Sequence, residues 1–85
     1  MKYFVYMILS KTNNKLISYV GYTNNLKKRI FLHNSSKGAK FTKGKKWKLI
    51  YSKAFCSKKT AMREEYILKK DKKRRNKLKL NYINK

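Results

Sequence analysis

Tyr19-Val20-Gly21-Tyr22-Thr23-Asn24-Asn25-Leu26-Lys27-Lys28-Arg29, continued by Ile30-Phe31-Leu32-His33-Asn34, is the stretch that decides the fold of this chain. It begins as the end of an apolar run, Leu16 to Tyr22, passes through polar Thr23-Asn24-Asn25, and resumes with Leu26 and Ile30 one turn apart. A strand, a cap and a helix therefore follow directly on one another. In the strand, Tyr19 and Gly21 share one face while Val20 and Tyr22 share the other. Thr23 or Asn24 is the expected cap of a helix reaching about Asn34, with Leu26, Ile30 and Phe31 as its buried stripe. Arg29 and His33 stand four apart and so lie on one helix face.

Upstream, Tyr3 to Ser10 is apolar at nearly every position and rich in β-branched and aromatic side chains, which suits a strand covered on both faces. Thr12-Asn13-Asn14 supplies turn chemistry between the two runs, so they read as an antiparallel hairpin. Downstream, Ser35 to Lys46 holds two glycines and five lysines and reads as a mobile basic loop. Trp47 to Phe55 gives a third strand. Ser57 then caps a helix from about Lys58 to Lys70, on which Ala61, Glu65 and Leu68 fall near one line with Met62 and Tyr66 beside them. A last helical segment runs through Leu78 and Tyr82. The expected class is α+β: a small three-stranded antiparallel sheet flanked by helices, in the order β-β-α-β-α-α, forming one domain over residues 1–85.

Eighty-five residues suffice for one modest core and leave no room for a separate recognition module. Twenty-five Lys and Arg against three acids give a formal charge of +22, a field that calls for a polyanionic partner. AT-rich coding favours Lys, Asn, Ile and Tyr and accounts for part of the excess, but not for the scarcity of acids. No apolar run approaches the ~20 residues of a spanning helix, and no segment pairs a long apolar stripe with a clean basic face. The apolar N-terminus lacks a small-residue cleavage site after it and reads as a strand, not a signal peptide. A single cysteine, Cys56, forbids an intrachain disulfide; a reduced cytoplasmic setting is expected, with Cys56 a small packed residue.

Tyr6 in Phe4-Val5-Tyr6, the Tyr19-Val20-Gly21 run, Arg29 ten residues beyond Tyr19, His33, and Glu65 further on form an ordered set that resembles the GIY-YIG nuclease family. The resemblance covers roughly residues 3 to 80 and is closest to the small single-domain members, named for their likeness to the nuclease half of a bacterial excision-repair subunit. It implies a DNA endonuclease of low sequence specificity, selective for damaged or branched forms, that uses Mg²⁺ or Mn²⁺. In that reading Glu65 binds the metal, and Tyr6 and Tyr19 orient or deprotonate the attacking water. Arg29 grips phosphate oxygens with a planar fork that lysine lacks, and His33 protonates or orients one. Gly21, Thr23 and Asn34 support them, Gly21 by permitting a close approach at the catalytic face. Thr42 falls where some relatives carry another polar or histidine side chain, and Tyr22 where some carry a lysine.

Each residue also has an ordinary role when taken singly: the tyrosines as strand aromatics, Arg29 on a solvated helix face, Glu64 and Glu65 in ion pairs along their own helix. A phenol, with its pKa near ~10, is a poor base unless positive charge favours phenolate, and Arg29, lysines and a metal would supply that charge. Lys37, Lys40, Lys43, Lys45 and Lys46 are expected to contact phosphates without reading bases. Phe41 or Trp47 has the chemistry to stack on an unpaired base, core packing being the more ordinary fate of Trp47. The partner is DNA, with RNA as the alternative, and a protein partner or transient dimer would add specificity. A noncatalytic DNA- or RNA-binding module on the same fold is the competing reading.

Overall fold

A computed structural model describes residues 2–84. Strands β1 (Tyr3–Thr12) and β2 (Lys15–Thr23) are followed by helix α1 (Leu26–Asn34), a 3-10 turn (Lys40–Thr42), strand β3 (Lys48–Phe55) and helices α2 (Lys58–Lys70) and α3 (Lys72–Ile83). The three strands form one antiparallel sheet in the order β2-β1-β3. The expected α+β class and element order hold. Among the described residues no helix is long and apolar enough to cross a membrane.

The hairpin register follows from its turn. Thr12 pairs with Lys15, and the two residues between them, Asn13 and Asn14, take φ of 50° and 63°. Both are left-handed, as the right-handed twist of a two-residue hairpin demands, and asparagine tolerates that region better than most side chains. This register places Tyr6 opposite Gly21.

β1 is the central strand and is buried continuously from Val5 to Ser10. Because its side chains alternate, it feeds two cores. Val5 and Met7 pack with Val20, Ala61 and Leu68 under the α2 layer, while Tyr6 and Ile8 pack with Trp47 against Tyr19, Leu26 and Ile30 on the α1 side. Ala61 and Leu68 are fully buried on α2 as their spacing predicts, and Glu65, between them in sequence, is half-buried at the border of that face. Met62 and Tyr66 lie outside the contact ridge and are exposed. A bulge sets Met7 opposite Tyr51 but Ile8 opposite Leu49.

Several local expectations are corrected. The α1 cap is Asn25, whose Oδ1 accepts from the Lys28 N–H at 3.1 Å. Thr23 turns the chain ahead of it instead, accepting from the Asn25 N–H, so the helix starts later than expected. Leu26, Ile30 and His33 make the inward stripe of α1, and Phe31, about 100° off it, is 67% exposed. Cys56, just past β3, is exposed rather than packed. Ser57 caps α2 through the Thr60 N–H as expected. Asp71 closes α2 and accepts from the Arg74 N–H to open α3.

The basic segment after α1 is anchored, not a free loop. Asn34 clasps Trp47 by its backbone: Oδ1 accepts from the Trp47 N–H at 2.6 Å and Nδ2 donates to the Trp47 carbonyl at 3.1 Å. The Trp47 indole N–H donates to the Thr42 carbonyl, and both residues are buried. Two glycine-free points of contact thus pin a stretch whose composition reads as mobile.

Candidate active site at the edge of the sheet

Tyr6, a β1 residue, carries its phenol across Gly21 of β2, where a Cβ would stand 2.5 Å from the hydroxyl and 2.8 Å from Cζ. The close approach that the glycine permits is therefore by Tyr6 itself. The hydroxyl meets two side chains of α1: Arg29 Nε donates to it at 3.4 Å, and His33 Nε2 lies 2.7 Å away. His33 Nδ1 is 2.9 Å from the Thr42 hydroxyl, and that hydroxyl donates to the Ala39 carbonyl at 2.9 Å.

One arrangement of protons satisfies all of these contacts. Thr42 has one hydrogen and spends it on Ala39, so it accepts from His33 Nδ1–H, and from the Ala39 N–H at 3.1 Å. Neutral His33 then offers Nε2 as an acceptor for the Tyr6 O–H. A directed line runs from Arg29 through Tyr6 and His33 to Thr42. Thr42 thus orients the histidine ring, a role that its sequence position did not reveal. Gly38 is part of the same fit, because a Cβ there would run into the His33 ring. That it is one of only three glycines in the chain is the only sequence signal for it.

Burial governs the charges. Tyr6 and His33 are fully buried. Burial raises the Tyr6 pKa above that of an ordinary phenol; the Arg29 hydrogen bond and charge oppose it without prevailing, and Tyr19 and Glu65 push it further up. The Arg29 cation alone does not outweigh burial at this tyrosine. Burial, followed by the Arg29 charge, lowers the His33 pKa, and contact with the tyrosine raises that of Arg29. The resting state is a neutral phenol, a neutral imidazole and a cationic guanidinium.

In front of this buried line lies half-exposed Tyr19, its ring tilted 60° to that of His33 at 5.1 Å and stacked on Phe41 at 6.2 Å. Glu65 approaches from α2; its side chain is 17% exposed and pairs with Lys69 at 3.5 Å. Glu64, next in sequence, instead lines a small cavity with Tyr51, Lys53 and Arg74. Tyr22, Thr23, Asn24 and Arg29 line an open cavity with Lys58 from the first turn of α2. A lysine thus reaches this neighbourhood from another element, although position 22 is a tyrosine. Thr23 and Asn34 make backbone contacts that hold the frame. Lys37, Lys40 and Lys43 are exposed, Lys45 lies 5.5 Å over the Phe41 ring, and Lys46 faces a separate groove with Leu9 and Tyr82.

Two stability results follow. Gly21→Ala forces the packed Tyr6 ring to shift, an overpacking cost of about 1–3 kcal/mol; urea unfolding checks it, and a midpoint equal to that of the parent chain would refute this packing. The second concerns pH. With its pKa depressed in the folded state, His33 binds protons more readily when unfolded, so its contribution is complete above pH ~6.5 and is lost as pH falls through the lower folded value. As the only histidine among just three acids, it should dominate the slope of melting temperature between pH ~7 and ~5. Removing it in His33→Gln should flatten that slope.

The family model described as GIY-YIG catalytic domain matches residues 2–79. UPF0213 protein SH2523 of Staphylococcus haemolyticus is 45% identical over 69 residues, 80% of each chain. UPF0213 protein YazA of Bacillus subtilis is 44% identical over 69 residues, which span 80% of this chain and 67% of that one. The solution NMR structure of the UPF0213 protein BH0048 from Bacillus halodurans superposes with a TM-score of 0.50 at 37% identity, covering 96% of this chain and 85% of that one.

Proposed function

We propose, from the fact that this chain belongs to the GIY-YIG family of nuclease domains, that it hydrolyses DNA phosphodiester bonds as a divalent-metal-dependent endonuclease of low sequence specificity. The observation that carries the reading is the hydrogen-bonded line Arg29–Tyr6–His33–Thr42, with the Tyr19 ring against His33 and the Glu65 charge acting on Tyr6. An ordinary aromatic core needs no such alignment.

The donor set suits Mg²⁺. No group of three His, Cys, Asp or Glu converges among the described residues, so a cage made wholly of protein ligands is out of reach. A single half-buried carboxylate, Glu65, with only a 3.5 Å ion pair to Lys69, matches an ion that keeps most of its waters and takes one or two carboxylates. Mn²⁺ suits the same oxygen donor. When bound, the ion polarises the phosphate and stabilises the leaving oxygen.

The protein groups divide the remaining work. Arg29 is fixed at Nε by Tyr6 and turns its fork toward the scissile phosphate, stabilising the charge that builds there. Tyr19, the tyrosine that reaches solvent, orients or deprotonates the attacking water. Tyr6 stays protonated and, with His33 and Thr42 behind it, holds Arg29 in place. Lys37, Lys40 and Lys43 contact phosphates outside the reaction centre, which positions DNA without reading its sequence.

The test is incubation of supercoiled plasmid and branched duplexes with the purified chain and Mg²⁺ or Mn²⁺. Nicked or linear product is expected; substrates left intact under every condition defeat the reading. Duplex affinity should fall with salt by about 0.9 log units per log unit of salt for each phosphate neutralised. Replacing Lys40 and Lys43 with alanine should lower that slope by about two. An unchanged slope removes both lysines from the interface.

A further inference from the structure

β2 pairs only with β1, so its outer edge is open. One stop along that edge from the Tyr6–Arg29 centre lies a second cavity, lined by Ser18, Tyr19, Val20, Phe41, Lys69 and Arg75. Its walls come from both layers: Phe41 from the 3-10 turn on the α1 side, Lys69 from α2 and Arg75 from α3 on the other. At about 260 Å³ it falls below the range of drug-sized ligand pockets and is open to solvent. Phe41 is 52% exposed and stacks on Tyr19. Arg75 Nε is buried with no hydrogen-bond partner among the described residues, although buried donors almost always find an acceptor.

A cationic pair with an orphaned donor, set beside an exposed aromatic ring, has the chemistry of a nucleotide: an anionic phosphate for the first and a flat base for the second. We propose that this cavity is a nucleotide subsite adjoining the scissile phosphate, in which Lys69 and Arg75 hold the neighbouring backbone phosphate and Phe41 stacks an unpaired base. The inference rests on the nuclease reading for its place next to the cut bond and adds what that reading lacks, a preference for strands with an unstacked base. Tyr19 lines the cavity and also touches His33, so a base on Phe41 settles against the tyrosine that faces the attacking water. Selectivity for gaps, flaps or damaged positions follows, because a fully paired duplex offers no free base.

A short single-stranded deoxythymidine oligomer carrying one 2-aminopurine, mixed with the whole chain in EDTA, tests the subsite without turnover. Quenching of the 2-aminopurine is expected with the unmodified chain. Phe41→Ala should abolish it and weaken single-strand affinity about tenfold while leaving blunt-duplex affinity unchanged, and Phe41→Trp should restore the quenching. Arg75→Met should weaken binding yet keep the quenching at saturation, with Arg75→Lys partly restoring affinity; circular dichroism confirms that each variant is folded. No quenching with the unmodified chain, or equal quenching and affinity in folded Phe41→Ala, overturns the subsite. If plasmid stays intact but the quenching appears and depends on Phe41, the nuclease reading fails and the nucleotide site stands. Cleavage without quenching overturns the subsite alone.

Discussion

Replacing Glu65 by glutamine should reduce cleavage about a thousandfold while leaving DNA affinity equal or slightly higher. Glu65 is the one acid whose charge acts on Tyr6: Asp71 caps α3, and Glu64 lines the cavity with Tyr51 and Arg74. The several kcal/mol that a divalent ion contributes to a phosphoryl transition state convert to about three decades of rate. Glutamine keeps the size of the side chain, and the 3.5 Å pair with exposed Lys69 that it gives up is worth less than about 1 kcal/mol. Plasmid nicking rates beside duplex-binding isotherms separate the two effects. A Glu65→Gln protein that cuts at the parent rate would remove this residue from the metal role.

Arg29→Lys is the second large effect, a loss of about 10²–10³ in the cleavage rate with affinity nearly constant, on the scale of deleting one preorganised donor at a developing charge. Net charge is conserved, so long-range attraction of DNA is unaffected. The lost feature is geometric. Arg29 donates through Nε to the Tyr6 hydroxyl and also hydrogen-bonds Tyr19 from the same planar group, an arrangement that a lysine ammonium cannot reproduce while gripping a phosphate. Single-turnover cleavage at saturating enzyme isolates this step, and a loss of less than about fivefold would be too small for a transition-state contact of this kind.

The hairpin, the N-cap of α2, and the inward positions of Ala61 and Leu68 were legible in the sequence because they depend on local chemistry and period. The grouping of Tyr6, Tyr19, Arg29 and His33 was legible through spacing, since a two-residue turn and one helix carry them all. Contacts set by distant closure were not. Nothing around Thr42 signals that its hydroxyl will meet a histidine nine residues earlier, and a lysine- and glycine-rich composition masks the Asn34–Trp47 clasp that brings it there. Charge patterning likewise could not tell Tyr6 from Tyr19. The central position of β1 buries Tyr6, where desolvation outweighs the Arg29 charge, and the edge position of β2 leaves Tyr19 half-exposed.

The open edge of β2 carries a further consequence. An unpaired strand edge is a template for pairing with the edge of another copy, and proteins commonly blunt it with bulges, prolines or a covering helix. This chain has no proline, and its bulge lies between β1 and β3, away from that edge. Lys58, Arg29, Lys69 and Arg75 line the cavities along the β2 side, on a molecule of formal charge +22. Cations that would draw a nucleic-acid strand to this edge would also disfavour its pairing with the like-charged edge of a second copy.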